Sequence, residues 1–451
     1  MKPTILLAGL LALPFSHLAT AQSTRSIPNF ANANLVLGDA DFRGGGPPAP
    51  AASSFSFAND VAVDPVTRKV FVADVFRVLR FASADALANG AAAEAVFGQG
   101  NFDTQTSPST PNESRFAALG ICLDRNGRLW VADPNNRRVL RFDGANTAGN
   151  FPAATRVYGQ PNFTDNSFRV TSATSIAGPT DVLVDSNDRL WVVDSGVNRI
   201  LRFDDISNKP NGAAADGVLG QTSFTGVSSG LSQSKMESPR AIDISANGTL
   251  FVSDSLNNRV LRFDNAAGLA NGANASAVLG QPDFVSRTID VTASRMHNPR
   301  GLSIAADDTL WITDFQNARA LRFDNASAKA NGAAADGVLG QPDFFTDRQD
   351  NNNQGTFLKN SQGFLFPEYI FVDNPRGSVW VSDGQNGRVL RFGGASGGTN
   401  PPPAGGDNVQ PALALSGKVP KSTKAKASPS REPRATMSVS QECNTALALV
   451  L

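Results

Sequence analysis

Two sets of polar and charged residues in this 451-residue sequence have types and spacings that could do chemistry. The first is an aspartate followed five places on by an arginine. It stands at Asp133 and Arg138, Asp194 and Arg199, Asp254 and Arg259, Asp314 and Arg319, and Asp383 and Arg388, with a shortened copy at Asp74 and Arg77. Such an aspartate can accept hydrogen bonds from turn amides, and such an arginine can meet a carboxylate in a planar fork. Recurrence decides between active site and scaffold, because a catalytic residue is needed once and a turn brace in every repeat. The pairs are therefore read as scaffold, together with the arginines that follow them at Arg80, Arg141, Arg202, Arg262, Arg322 and Arg391.

The second set does not repeat. Asn59, Asp60, Asp181, Arg240, Arg300 and Glu368 stand where a loop hands over to an apolar run, at positions that other copies fill with residues such as Leu119 and Thr180. Binding residues concentrate on loops carried by a rigid scaffold. Arg240, Arg300 and Glu368 come from consecutive repeats and could form a charged arc for a ligand, the alternative being an ordinary solvated rim.

Other chemistry is poorly provided for. The histidines are His17 and His297, so a Ser-His-Asp triad would depend on His297 as its base. His297 lies in MHNPR, just before a strand, and is read as a surface imidazole. Glycines recur at Gly38, Gly98, Gly159, Gly220, Gly280 and Gly340 with no G-x-G-x-x-G or P-loop pattern. They are read as allowing a bulge or a close backbone approach. Cys122 sits in an apolar strand pattern and is read as a small buried hydrophobe. Cys443 lies in an irregular tail, and no structural disulfide is expected.

The elements that must position these residues come in repeats. The shared aspartates are 59, 61, 60, 60 and 69 residues apart, a fixed period that signals stacked supersecondary units. Each unit carries four strand signals. Strand a is an alternating apolar run such as PTDVLVD from Pro179. A turn such as Asn126-Gly127, Asn187-Asp188 or Asn247-Gly248 tolerates the positive φ of a two-residue hairpin. Strand b is LWVAD and its relatives, strand c is RVLRFD, and strand d is most often VLGQPDF. Three places before the shared aspartate stands an aromatic, Phe71, Trp130, Trp191, Phe251, Trp311 or Trp380, read as packing between units and not as a platform for sugars.

Four short antiparallel strands repeated radially make a β-propeller blade. Six d strands match six a-b-c sets, but with an offset: the first d, LVLGDADF from Leu35, precedes every a-b-c set, and the last set ends at Phe392 with no d after it. The expected fold is therefore all-β, one six-bladed propeller over residues 34–393, closed by the N-terminal strand completing blade six.

The run aromatic-V-x-D-x-x-N-x-R-V/I-L-R-F resembles the NHL repeat, over about 360 of the 451 residues. Two departures stand out: the first copy lacks two residues between Asp74 and Arg77, and the third has Val197 where others have asparagine. The resemblance implies a binding or scaffold module that holds a protein, peptide or glycan on its loop-rich face. It also offers an alternative, a calcium-dependent hydrolase of the sugar-lactonase kind or a lyase, with its site at the channel mouth. Lyases of this shape hold a metal through several histidines, which this sequence cannot supply. A calcium site would need convergence of Asn59, Asp60, Asp181, Asp243 and Glu368. No cofactor is expected, calcium being the one candidate.

Charge and termini bound the partners. Lysine plus arginine equals aspartate plus glutamate at 40 each, but residues 22–393 hold 33 basic and 37 acidic residues. A mildly acidic body argues against a nucleic-acid groove. Lys2, the apolar run 5–13 and Ala19-Thr20-Ala21 predict a secretory leader, residues 1–21, cleaved after Ala21. The run is too short to span a bilayer, so a secreted, periplasmic or cell-surface protein is expected. Residues 394–451 are rich in glycine, proline, serine and lysine and are read as a disordered linker and tail.

Overall fold

The structure is a computed structural model that describes residues 22–44, 49–107, 112–351 and 359–394. The predicted leader and nearly all of the tail, Cys443 included, lie outside the described residues.

Six four-stranded antiparallel sheets form. In blade three, strand a is Pro179–Val184, b is Leu190–Asp194, c is Arg199–Phe203 and d is Gly217–Leu219. The other inner strands are Ala58–Val63, Ile121–Leu123, Pro239–Ile244, Pro299–Ile304 and Pro367–Asp373. Each packs beside the next, and the sixth packs beside the first, so the ring closes. Strands such as Leu190–Asp194 are buried throughout, because neighbouring blades cover both faces. The a–b turns place Gly127, Asp188 and Gly248 at φ of 68°, 60° and 84°, as a tight hairpin demands.

The N-terminal strand completes blade six as expected. Leu35–Leu37 pairs antiparallel with Arg388–Gly393, setting Val36 opposite Leu390. The closing segment is longer than the strand alone. Gln22 N–H donates to the Asn374 carbonyl at 3.0 Å, the Trp311 indole donates to Thr24 Oγ1 at 3.0 Å, and Arg322 donates to the carbonyls of Arg25 and Ile27 at 2.8 and 3.0 Å. Residues 22–34 thus replace the c–d loop that blade six lacks. In the other blades the c–d loop carries an asparagine, Asn89, Asn150, Asn211, Asn271 or Asn331, whose side-chain oxygen accepts from a strand-d N–H of the preceding blade. Asn29 holds that place in the closing segment.

The six aromatics before the shared aspartates are 0–1% exposed, as core packing requires. Burying each removes on the order of 150–250 Å² from water. Strand-c arginines lie over several of these rings, with Arg141 5.7 Å from the Trp130 centroid and Arg391 5.5 Å from that of Trp380. At Gly340, φ is +87° and an added Cβ would fall 2.4 Å from the Phe364 ring and 2.8 Å from the Ala318 carbonyl; the recurring glycine serves close approach. Cys122 differs from the expectation. It is partly exposed, because it belongs to the inner-strand row that also holds Leu183, Asp243 and Phe371, where burial is incomplete.

Candidate functional site

The loops that lead from strand d to the next strand a, together with the b–c turns, lie on one face of the ring. Six recurring aspartate–arginine braces hold them. In blade three, Arg199 Nε and Asp194 Oδ2 are 2.9 Å apart, and both side chains are fully buried, as in all six copies. Asp194 Oδ1 accepts from the N–H groups of Ala177 and Gly178 at 2.9 Å, in the loop entering the blade. Arg199 donates to the Ser175 carbonyl in that loop and to the Phe224 carbonyl in the loop leaving it. The brace therefore joins two loops, where a turn-amide contact was expected; the carboxylate does not cap the 3-10 turn Ser195–Val197 that follows it. Asn136, Asn257, Asn317 and Asn386 add a hydrogen bond to the same aspartate. Val197 cannot.

The inner strands crowd the axis. Tyr369 of blade six reaches across to blades three and four, and its hydroxyl donates to the carbonyls of Thr180 at 2.8 Å and Arg240 at 3.0 Å. The channel is thereby plugged. Asp60, Asp181 and Asp243 each send one carboxylate oxygen to an inner-strand N–H of the next blade, Ile121, Ile242 and Ile304, at 2.8, 2.9 and 2.8 Å. The other oxygen accepts from the following residue in their own strand. Asn59 donates to the Ala118 carbonyl at 2.9 Å. Burial raises the Asp60 carboxyl to about 7 and that of Asp243 to about 6, despite the amide bonds. Asp181 is pushed well above the usual carboxylate range, by burial first and then by the charge of Asp60.

Of the six candidate residues, the structure brings three together at the channel mouth. Arg300 and Glu368 form a two-oxygen ion pair, and the Arg300 guanidinium lies 3.4 Å from the centroid of Phe315. Phe315 in turn stacks on Phe366 at 4.8 Å. Arg240 stands beside them without a counter-ion. Its side chain makes no hydrogen bond or ion pair among the described residues, and its Nε is buried without a partner. Burial, then the neighbouring Arg300 charge, pull its pKa below the ordinary value. The remaining three, Asn59, Asp60 and Asp181, are occupied in tying one blade to the next.

Apolar exposure marks the same face, and the sequence reading missed it. The large apolar residues most open to water are Phe168, Val170, Val227, Leu256, Val285, Ile289 and Phe345, with Val66. The first seven lie on the d–a loops or, for Leu256, on a b–c turn; Val66 alone is on the opposite face. The available signal was apolar residues inside otherwise polar loops. Among the described residues, no three or more His, Cys, Asp or Glu side chains are grouped to hold a metal ion, and no helix is long and apolar enough to cross a membrane.

The family model described as the Teneurin NHL domain matches residues 53–323. Teneurin-1 of Mus musculus is 26% identical over 234 residues, which cover 47% of this chain and 8% of that protein. Teneurin-1 of Homo sapiens is 25% identical over 309 residues, covering 60% of this chain and 11% of that protein. The chain thus spans only a small part of the length of either relative. Among solved structures, a protein of unknown function from Bacteroides thetaiotaomicron is similar at a TM-score of 0.47 and 15% identity, over 80% of this chain and 75% of that one.

Proposed function

We propose that this chain, which belongs to the Teneurin NHL domain family, is an exported binding module that holds a protein, peptide or glycan on its loop-rich face. The observation that carries this reading is that Phe168, Val170, Val227, Leu256, Val285, Ile289 and Phe345 are all exposed on that one face. Apolar side chains concentrated on one surface mark an interaction site more often than singly scattered ones do. The repeated residues supply rigidity beneath it, and the loops that carry the apolar side chains differ from blade to blade.

The calcium-dependent alternative is less well supported. Its carboxylates are already engaged, Glu368 by Arg300 and Asp60 and Asp181 by backbone N–H groups. Arrays of proteins, peptides and glycans probed with the purified chain test the binding reading. Signals retained by wild type and lost in a variant with Phe168, Val285, Ile289 and Phe345 changed to serine support it. Signals unchanged in that variant contradict it.

A further inference from the structure

We propose that Arg240, beside Arg300 at the mouth of the plugged channel, receives the side-chain carboxylate of an acidic segment on a partner protein. The inference rests on the binding reading and names the chemistry at its centre. An arginine remains protonated in any protein setting. Among the described residues Arg240 makes no ion pair and no side-chain hydrogen bond, and its Nε is buried without a partner, so its charge lacks a counter-ion. The carboxylates near it are committed: Glu368 to Arg300, and Asp181 to the N–H groups of Val182 and Ile242. Arg240, Arg300 and Glu368 together carry one net positive charge, which a single carboxylate balances. Glu368 would repel the second charge of a phosphate.

The surroundings favour a protein over a glycan. All four tryptophans and both tyrosines are buried, so no indole or phenol is open for stacking on a sugar ring. The exposed large apolar side chains of the face are aliphatic or phenylalanine, among them Leu256, Val285 and Phe345. An unpaired cation on a face that also exposes apolar side chains matches a peptide segment with one acid among apolar residues.

Selection of a random-peptide phage library on the full-length protein tests this. Enriched peptides are synthesised with each acidic residue and with its amide, and affinities are measured for wild type, Arg240→Gln and Glu368→Gln. The expected result is a required Asp or Glu, at least tenfold weaker binding of the amide peptide, and the same loss for the acidic peptide on Arg240→Gln. Glu368→Gln, which frees the Arg300 fork, should bind the acidic peptide more tightly; a purely structural role for Arg240 would not produce these opposite effects. Arg240→Gln removes no side-chain hydrogen bond, and its melting temperature checks that it folds. Amide peptides that bind equally, or acid-dependent binding that survives Arg240→Gln, overturn the proposal. If those peptides are nevertheless lost on Val285→Ser with Phe345→Ser, the face reading stands. Peptides indifferent to every variant, or no enrichment, overturn both.

Discussion

The side-chain oxygen of Asn29 accepts a hydrogen bond from the backbone N–H of Val338 at 3.0 Å, across 309 positions of sequence. Asn331 does the same for Val278, and Asn89 for Val36. The chain therefore closes its ring with a copy of its own c–d loop as well as with a strand. Phe30 takes the positive φ, 55°, that Gly90 and Phe151 take at 67° and 56° in the equivalent loops.

Removing that contact should weaken closure. Asn29→Ala leaves a strand-d N–H without its partner, and a loss of about 1–2 kcal/mol is expected. Deleting residues 22–34 removes the indole and guanidinium contacts as well and should lower the melting temperature further. Thermal unfolding of both variants checks this; an unchanged transition for the deletion would mean that the ring does not need the segment.

The buried braces should be structural in every blade. Arg199→Met leaves Asp194 buried and unpaired, and a cost of about 3–5 kcal/mol is expected. Arg259→Met should behave alike. Urea unfolding measures both. A variant of one brace that kept full stability but lost binding would assign that pair a functional role instead.

Much of this was legible in the sequence, for physical reasons. The turn pairs, the buried aromatics and the offset of strand d are local features that repeat six times, and six copies average out the ambiguity of any one. Asp60 and Asp181 were harder. Both were grouped with ligand candidates, yet each binds an N–H 61 residues on, in the next blade. Asp243 and Ile304 show the same offset, so the spacing held a signal, but one visible only when donor and acceptor are known. The reach of Tyr369 across the axis has no counterpart in the repeat and could not be inferred from it. Arg300 and Glu368, which pair in the structure, stand at positions where the blades differ.

The inner carboxylates should make stability fall as pH rises. Asp60 titrates at about 7 in the folded protein and near 3.9 when unfolded. Between those values the folded state keeps a proton that the unfolded state has lost, so its contribution, full below about 4, is lost as pH passes through 7. Tyr369 and Asp181 crowd the same axis and share the burial. Wild type should melt at a higher temperature at pH 5.5 than at pH 8, and the slope should be shallower in Asp60→Asn. An identical slope in the two proteins would contradict the assignment.

Tyr369→Phe should open the axis slightly without touching the loop face. It leaves the Thr180 and Arg240 carbonyls without the hydroxyl, and about 1–2 kcal/mol of stability should be lost. Affinity for selected peptides should hold, as equilibrium titration would show; a large loss of affinity would place the ligand deeper in the channel.

The most direct test is where a bound partner protects the backbone. Hydrogen exchange of the full-length protein, with and without a selected peptide, should slow in the loops 225–238 and 285–298 and in the turn Ser255–Asn257. Slowing confined to the a–b turn around Val66 and the c–d loops, with none on the loop-rich face, would contradict the account.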